Sequence, residues 1–267
     1  MYREFYGLRE KPFAKTPDPR YLFLSRGHRE ALARLQHAVE EHELALLTGD
    51  IGCGKTTISR ALMDTMGEQY RFCFIVNPRL SAVELLRVIA RSLGVEEPAL
   101  AKDELLRQLA EVIYGLHGEG RCPVIVIDEA QLVPERELFD EIRLLTNFQL
   151  DDANLMSVVL MGQPELRQIL ADSCHEALRQ RISLHYHLQP LTLEETLEYI
   201  DFRLEIAGGP PGLFSPDAVQ RIYLLSGGVP RKINILATNA LLVGYGRDEA
   251  WIDASLVEEL REEASLY

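Results

Sequence analysis

The sequence predicts an α/β fold in which a parallel sheet of five strands is followed by a region of helices alone. Short apolar runs alternate with segments of helical spacing as far as Leu188, which is typical of a doubly wound parallel sheet. Beyond Pro190 only helical patterns continue. With 267 residues and 47% hydrophobic residues, the chain is long enough to bury one large core or two modest ones.

The five predicted strands are runs rich in apolar residues. The third contains V-I-V-I, and continuous apolarity of that kind suits a strand that is buried on both faces of a sheet. The strands are expected at Leu44–Thr48, Arg71–Val76, Val124–Asp128, Ser157–Met161 and Ile182–Leu188. The segments between them have apolar residues at helical spacing, and one further helix is expected at Glu135–Gln149.

Helix-start signals divide the C-terminal region. Thr192 and Glu195 have the spacing of a capping box, and Pro216 suits the first turn of a helix. Helices are expected at Leu193–Ala207, Ser215–Ser226, Arg231–Tyr245 and Ala254–Ser265. The expected domains are an N-terminal strap and first helix (1–40) packing on the core, an α/β core (41–189) and a C-terminal helical domain (190–267).

A phosphate-binding motif, G-D-I-G-C-G-K-T-T, follows the first predicted strand. It matches G-x-x-x-x-G-K-[ST], in which backbone N–H groups surround a polyphosphate, the lysine approaches the β- and γ-phosphates, and the hydroxyl binds Mg²⁺. A chance glycine-rich turn is disfavoured because the motif lies between a strand and a helix. The sequence therefore predicts ATP and Mg²⁺ as cofactors, held by Gly49, Asp50, Ile51, Gly52, Cys53, Gly54, Lys55, Thr56 and Thr57.

Two acidic residues end the third predicted strand, as in a Walker B motif. Asp128 is expected to hold Mg²⁺ through water, and Glu129 to orient the water that attacks the γ-phosphate. A solvated turn would explain either acid alone. Their combination with the phosphate loop favours the catalytic interpretation, with Thr56 and Asp128 as the metal-binding residues.

Several longer blocks resemble one known family. They are the opening M-Y-R-E-F-Y-G-L-R-E-K-P-F, the D-E-A-Q after the third strand, V-L-M-G-Q-P-E-L, and L-Q-P-L-T-L-E-E-T. Over essentially its whole length the chain resembles the ExeA/GspA group of AAA+ ATPases. That resemblance implies a P-loop NTPase core with a helical lid, ATP hydrolysis, a homo-oligomer, and a protein partner in an envelope system (secretion, pilus or exopolysaccharide assembly).

The resemblance also implies roles for single residues. Asn77 would be a polar switch that restrains Glu129, although an Asx turn before Pro78 explains it as well. Gln163 would be sensor 1, with a turn role as the alternative, and Arg231 would be sensor 2. An arginine finger would be Arg181 or Arg179, with Arg181 preferred because it directly precedes the fifth strand; solvated cations at a helix end are the alternative.

Charge and composition restrict the remaining functions. The formal net charge is −13, which argues against a broad nucleic-acid surface, so DNA is not an expected partner. The four cysteines are scattered, which suggests reduced thiols and a cytoplasmic location. Any contact with the inner membrane is expected to come through a partner or through a segment outside this chain. No transmembrane segment is expected. The alternatives are a DNA-binding ATPase that regulates transposition, of the related TniB/TnsC type, and a nucleotide-gated adaptor with negligible turnover.

Overall fold

A computed structural model describes residues 1–14, 19–134, 136–150 and 153–261. The five predicted strands are present and form one parallel sheet in the order β2-β3-β4-β1-β5. Their bounds are β1 (Leu44–Gly49), β2 (Tyr70–Ile75), β3 (Cys122–Ile127), β4 (Ser157–Gly162) and β5 (Ile182–Leu188). The predicted fold class is therefore confirmed.

Helices follow the strands and fill the C-terminal region as predicted. In chain order they are α1 (Tyr2–Phe5), α2 (Arg26–Glu40), α3 (Lys55–Thr65), α4 (Ala82–Leu93), α5 (Lys102–Gly118), α6 (Arg136–Leu145), α7 (Pro164–Ala171), α8 (Glu176–Arg179), α9 (Leu193–Ile206), α10 (Pro216–Ser226), α11 (Pro230–Gly246) and α12 (Ala254–Glu259). The predicted helix Glu135–Gln149 ends earlier, at Leu145. Its first residue and the last part of Ala254–Ser265 lie outside the described residues.

The described residues divide into two compact units. The sheet unit comprises the described residues of His28–Gly49 and Lys55–Leu188, and the helical unit comprises those of Met1–Gly27, Asp50–Gly54 and Gln189–Tyr267. The three-part division of the chain at residues 40 and 189 stays a prediction. No helix in the described part of the chain combines the length and the apolar character that crossing a lipid bilayer requires.

The sheet unit has its core around β3. All six residues of this strand are buried, because β2 and β4 flank it and helices cover both faces of a parallel sheet. Apolar side chains of α4 and α5 pack into the same core, among them Leu85, Ile89, Leu109 and Ile113. Burial of each such side chain is worth about 1.5–3 kcal/mol, so this core fixes the strand that leads to Asp128.

The helical unit has a separate core built from α9 to α12 and the N-terminal segment. The predicted capping box starts α9: the hydroxyl of Thr192 accepts the N–H of Glu195 at 3.2 Å, and the carboxylate of Glu195 accepts the N–H of Thr192 at 3.1 Å. Phe13 is buried in this core. Arg203 of α9, itself 7% exposed, donates to the carbonyl of Pro12 at 2.5 Å and ties the N-terminal segment to this unit.

The sheet topology places the candidate site. Because the strands are parallel, the carboxyl ends of β1, β3 and β4 meet at one edge, where ligands bind in open α/β sheets. Thr48 of β1 is paired with Gly162 of β4, and Ile127 of β3 with Leu160 of β4. The segments that begin after these strands therefore leave the sheet close together.

Candidate nucleotide-binding site

Lys55 is the first residue of α3 and is almost fully buried, with 6% of its surface exposed. Its ammonium group donates to the carbonyl of Gly49, the last residue of β1, at 2.7 Å. The lysine thus turns back toward the base of the loop, in the sheet unit. In the phosphate-loop motif this is the residue whose charge approaches the β- and γ-phosphates.

The tip of the phosphate loop depends on glycine. Gly52 and Gly54 have φ of 86° and 103°, values that side-chain-bearing residues rarely adopt. The carbonyl of Gly52 accepts the N–H of Arg231 at 3.3 Å, and a Cβ at Gly52 would lie 2.6 Å from the Cβ of Arg231. The loop tip and the start of α11 therefore pack backbone against backbone inside the helical unit.

The predicted metal-binding residues meet in the sheet unit. The hydroxyl of Thr56 donates to Oδ2 of Asp128 at 2.9 Å, and Asp128 is only 4% exposed. Mg²⁺ takes one or two protein oxygens in nucleotide sites and completes its octahedron with phosphate and water. A hydroxyl beside a carboxylate fits that need. No group of three or more His, Cys, Asp or Glu side chains among the described residues is arranged to hold a metal ion.

Glu129 adopts a left-handed backbone conformation, with φ of 52°, directly after Asp128. Its N–H donates to Oδ1 of Asp128 at 2.8 Å. Its carboxylate Oε2 accepts the side-chain amides of Gln131 at 2.5 Å and of Gln163 at 3.1 Å. The sensor 1 role that the resemblance implies for Gln163 stays a prediction. Gln131, the last letter of the D-E-A-Q block, has no predicted role.

Asn77 follows β2 and is exposed. Its Oδ1 accepts the N–H of Arg79 at 3.2 Å, which is the Asx-turn contact that was the alternative interpretation. The amides that contact Glu129 in this structure belong to Gln131 and Gln163. The role of Asn77 as a switch stays a prediction.

The two arginine-finger candidates have different surroundings in the sheet unit. Arg179 donates to the carbonyl of Ala171 at 2.9 Å and to that of Leu170 at 3.4 Å, so its guanidinium caps the C-terminus of α7. Arg181 donates to the hydroxyl of Thr146 at 2.7 Å, and both arginines are exposed. Arg179 thus donates to two backbone carbonyls, whereas Arg181 donates to one side-chain hydroxyl.

Family comparison places the chain in a known class. A family model for the AAA domain matches residues 37–170, about half of the chain, which includes the phosphate loop, Asp128 and Glu129. The chain therefore belongs to the AAA domain family, and its class is that of P-loop ATPases.

A curated relative makes the assignment narrower. The chain is 39% identical over 258 residues to general secretion pathway protein A of Aeromonas hydrophila, a match that covers 92% of this chain and 45% of the relative. The resemblance to the ExeA/GspA group is thus confirmed. The chain spans about half the length of the curated relative that it matches.

Solved structures share the fold. Cdc6p of Pyrobaculum aerophilum aligns with a TM-score of 0.70 at 20% identity, over 90% of this chain and 67% of that one. The ORC1 protein of Aeropyrum pernix, in complex with DNA, aligns with a TM-score of 0.67 at 22% identity, over 95% and 69%. RuvB of Thermotoga maritima, a Holliday junction branch migration motor, aligns at 0.61 and 18%, over 90% and 70%. At these identities the likeness concerns the fold.

Proposed function

We propose that the chain binds ATP with Mg²⁺ at the phosphate loop and hydrolyses it with a water molecule held by Glu129. The observation that carries this proposal is the hydrogen bond from Thr56 to Asp128, which joins two motifs 72 residues apart in the sequence. Glu129 directly follows Asp128 in the sequence. The attacking water would lie next to this pair, within reach of Glu129. The three side chains together supply a metal site and a group that orients water.

Each residue of the proposed site has a separate task. Backbone N–H groups of the loop and the ammonium group of Lys55 bind the phosphates, and Thr56 and Asp128 hold the metal ion. Bound Mg²⁺ would neutralise charge on the β- and γ-phosphate oxygens. Glu129 orients the attacking water, and the amide of Gln163 contacts that water or the γ-phosphate. Catalysis of this kind is mainly positioning and charge stabilisation.

Two arginines complete the proposed reaction. Arg231, whose backbone is fixed against Gly52, contributes its exposed guanidinium to the bound phosphates as sensor 2. Arg181 acts from a neighbouring copy as the arginine finger, so that hydrolysis requires a homo-oligomer. Such fingers contribute about 10³–10⁵ in rate in other phosphoryl-transfer enzymes.

The proposed cellular role is that of a motor or switch for an envelope assembly system, on the cytoplasmic side of the inner membrane. It is supported by the relative from Aeromonas hydrophila, whose name places that protein in general secretion. A nucleotide-dependent change in the chain would be passed to a protein partner. Replacing the native copy with the Glu129→Gln variant should block the envelope process while the variant protein accumulates normally.

The central experiment separates binding from hydrolysis. Lys55→Ala should abolish nucleotide binding, because it removes a charge that contacts the phosphates in the ground state. Glu129→Gln should keep nucleotide binding and lower kcat by about 10²–10⁴, because it removes mainly the orientation of water. Titration with a fluorescent ATP analogue and release of inorganic phosphate measure the two effects. Lys11→Ala and Glu165→Gln, both at exposed positions, are the matched controls.

Equal hydrolysis by wild type and Glu129→Gln would contradict the proposed role of the glutamate. The metal assignment has a separate test in Thr56→Val, which removes the hydroxyl and keeps the branched shape. This variant should need a higher Mg²⁺ concentration for half-maximal activity than the wild type. The same Mg²⁺ dependence in both proteins would remove Thr56 from the metal site.

A further inference from the structure

The carboxylate of Glu129 lies in a closed cluster with two glutamines. Its Oε2 accepts the side-chain N–H of Gln131 and that of Gln163, while Oε1 of Gln131 accepts the backbone N–H of Gln163 at 3.1 Å. We propose that Gln131 is a positioning residue, which orients Glu129 for its task in hydrolysis. This inference rests on the proposed function of Glu129 and adds a residue to which no role was assigned.

The direction of the Gln131 amide is fixed by its partners. The backbone N–H of Gln163 is a donor, so it requires the carbonyl oxygen of Gln131 to face it. The amide nitrogen of Gln131 must then point to Glu129, whose ionised carboxylate accepts hydrogen bonds only. A reversed amide would place two donors together and two acceptors together. Only one orientation of the Gln131 amide therefore satisfies both of its partners.

The surrounding backbone holds Gln131 in place. Gln131 lies on a short turn of 3₁₀-helix, Ala130–Leu132, whose first residue is fully buried. The side chain passes so close to β4 that a Cβ at Gly162 would lie 2.7 Å from its Oε1. Gly162 thus leaves the space that the Gln131 amide occupies. The oxygen of the Gln131 amide binds the N–H of Gln163, directly after β4, and its nitrogen binds Glu129.

Glu129 needs such an anchor because its side chain has several rotatable bonds and is only half-buried. Fixing a glutamate side chain costs up to about 2 kcal/mol of conformational entropy. A hydrogen bond that already holds the carboxylate removes part of this cost from the transition state. Gln163 also holds Glu129, but its amide has a second task at the phosphate or the water. The side-chain donor and acceptor of Gln131 both bind within the cluster.

The test is the substitution Gln131→Met, which keeps an unbranched side chain of similar length and removes both hydrogen bonds. We expect kcat to fall about 10- to 100-fold, with little change in the KM for ATP, because the lost interaction serves the transition state. The matched control is Gln108→Met. Gln108 forms a comparable bridge elsewhere in the sheet unit, accepting the N–H of Ala99 at 2.8 Å and donating to the carbonyl of Glu97 at 3.2 Å.

A double-mutant cycle separates positioning from a structural effect. If Gln131 acts through Glu129, Gln131→Met should cause no further loss in the Glu129→Gln background, measured in single-turnover reactions long enough to detect the residual rate. Thermal unfolding and binding of a fluorescent ATP analogue confirm that each variant is folded and loaded.

Three results would overturn the inference: wild-type kcat for Gln131→Met, an increased kcat, or an equal further loss in the Glu129→Gln background. A Glu129→Gln variant as active as the wild type would instead reject the proposed function of the glutamate. The two failures are therefore distinguishable. An unchanged kcat for Gln108→Met shows that the loss of a glutamine bridge alone does not lower activity.

Discussion

At the scale of single residues, the phosphate loop contains glycine where a side chain would strain the backbone or clash with a neighbouring atom. Gly52 combines a positive φ with a close approach to Arg231, so it is constrained twice. Gly212, also in the helical unit, has φ of 73° but meets no atom within 4 Å of an added Cβ. Substitutions at these two glycines therefore distinguish the energetic cost of the backbone conformation from the cost of a steric contact.

We predict that Gly52→Ala destabilises the protein more than Gly212→Ala and weakens ATP binding, which Gly212→Ala leaves intact. The left-handed conformation should cost each variant about 1–2 kcal/mol in the free energy of unfolding. Only Gly52→Ala also forces the loop and the start of α11 apart. Denaturant titration and nucleotide titration measure both effects. Equal destabilisation with wild-type nucleotide affinity in both variants would contradict the prediction.

At the scale of helices and strands, most elements could be predicted from local signals in the sequence. The capping box at Thr192 and the continuous apolar run of β3 act through nearest neighbours and through burial, so the sequence predicts them. The predicted third strand included Asp128, whereas β3 ends at Ile127 and the chain enters the left-handed turn at Glu129. A turn of this kind has no signal in residue type, since it is stabilised by the surrounding structure.

Side-chain direction at the site is where the sequence is least informative. The role of Gln131 depends on which atoms lie at the end of β4, and that is a property of the register between β3 and β4. For Asn77 the sequence allowed a switch or an Asx turn, because one amide suits both. The contact with Arg79 identifies the turn in this structure. Motif positions are therefore predictable from the sequence, while partners within the site require coordinates.

The end of α7 provides a prediction at this scale, because it separates the two candidate finger arginines. Arg179→Ala should lower the free energy of unfolding by about 0.5–1 kcal/mol, since two carbonyls at the end of α7 lose an exposed charged donor. Arg181→Ala removes one exposed hydrogen bond and should cost under about 0.5 kcal/mol. Chemical denaturation of both variants provides the comparison. A larger loss for Arg181→Ala would reverse these assignments.

At the scale of the whole molecule, the net charge bears on whether this chain binds DNA. The structure of ORC1 from Aeropyrum pernix contains DNA, but a likeness at 22% identity extends to the fold and not to the partner. This chain has 28 Lys and Arg against 41 Asp and Glu, which gives the net charge of −13. Such a charge repels a phosphate backbone at long range.

We predict that affinity for duplex DNA at physiological salt is no better than the weak non-specific range, about 10⁻⁴–10⁻⁶ M. Binding should be equally weak with and without ATP. Fluorescence anisotropy with a labelled duplex, repeated at several salt concentrations, measures it. Tight, ATP-dependent filaments on DNA would instead favour the alternative of a transposition regulator.

The last prediction concerns assembly. If Arg181 acts in trans, an Arg181→Ala copy has an intact phosphate loop but presents no finger, whereas a Lys55→Ala copy has a defective loop but still presents one. Each variant alone should be nearly inactive. A mixture should recover part of the ATPase activity, because some interfaces then join a good loop to a good finger. The specific activity of the wild type should also rise with protein concentration until assembly is complete.

The control for this experiment is a mixture of Arg181→Ala with the Lys55→Ala/Arg181→Ala double variant, which has the same total protein but no finger in any copy. No recovery is expected there, so a gain seen only with Lys55→Ala assigns the finger to Arg181. Recovery in both mixtures would mean that assembly alone, rather than the arginine, restores activity. A specific activity independent of concentration, without recovery in either mixture, would mean that each copy hydrolyses ATP with its own residues and that Arg181 is not a finger in trans.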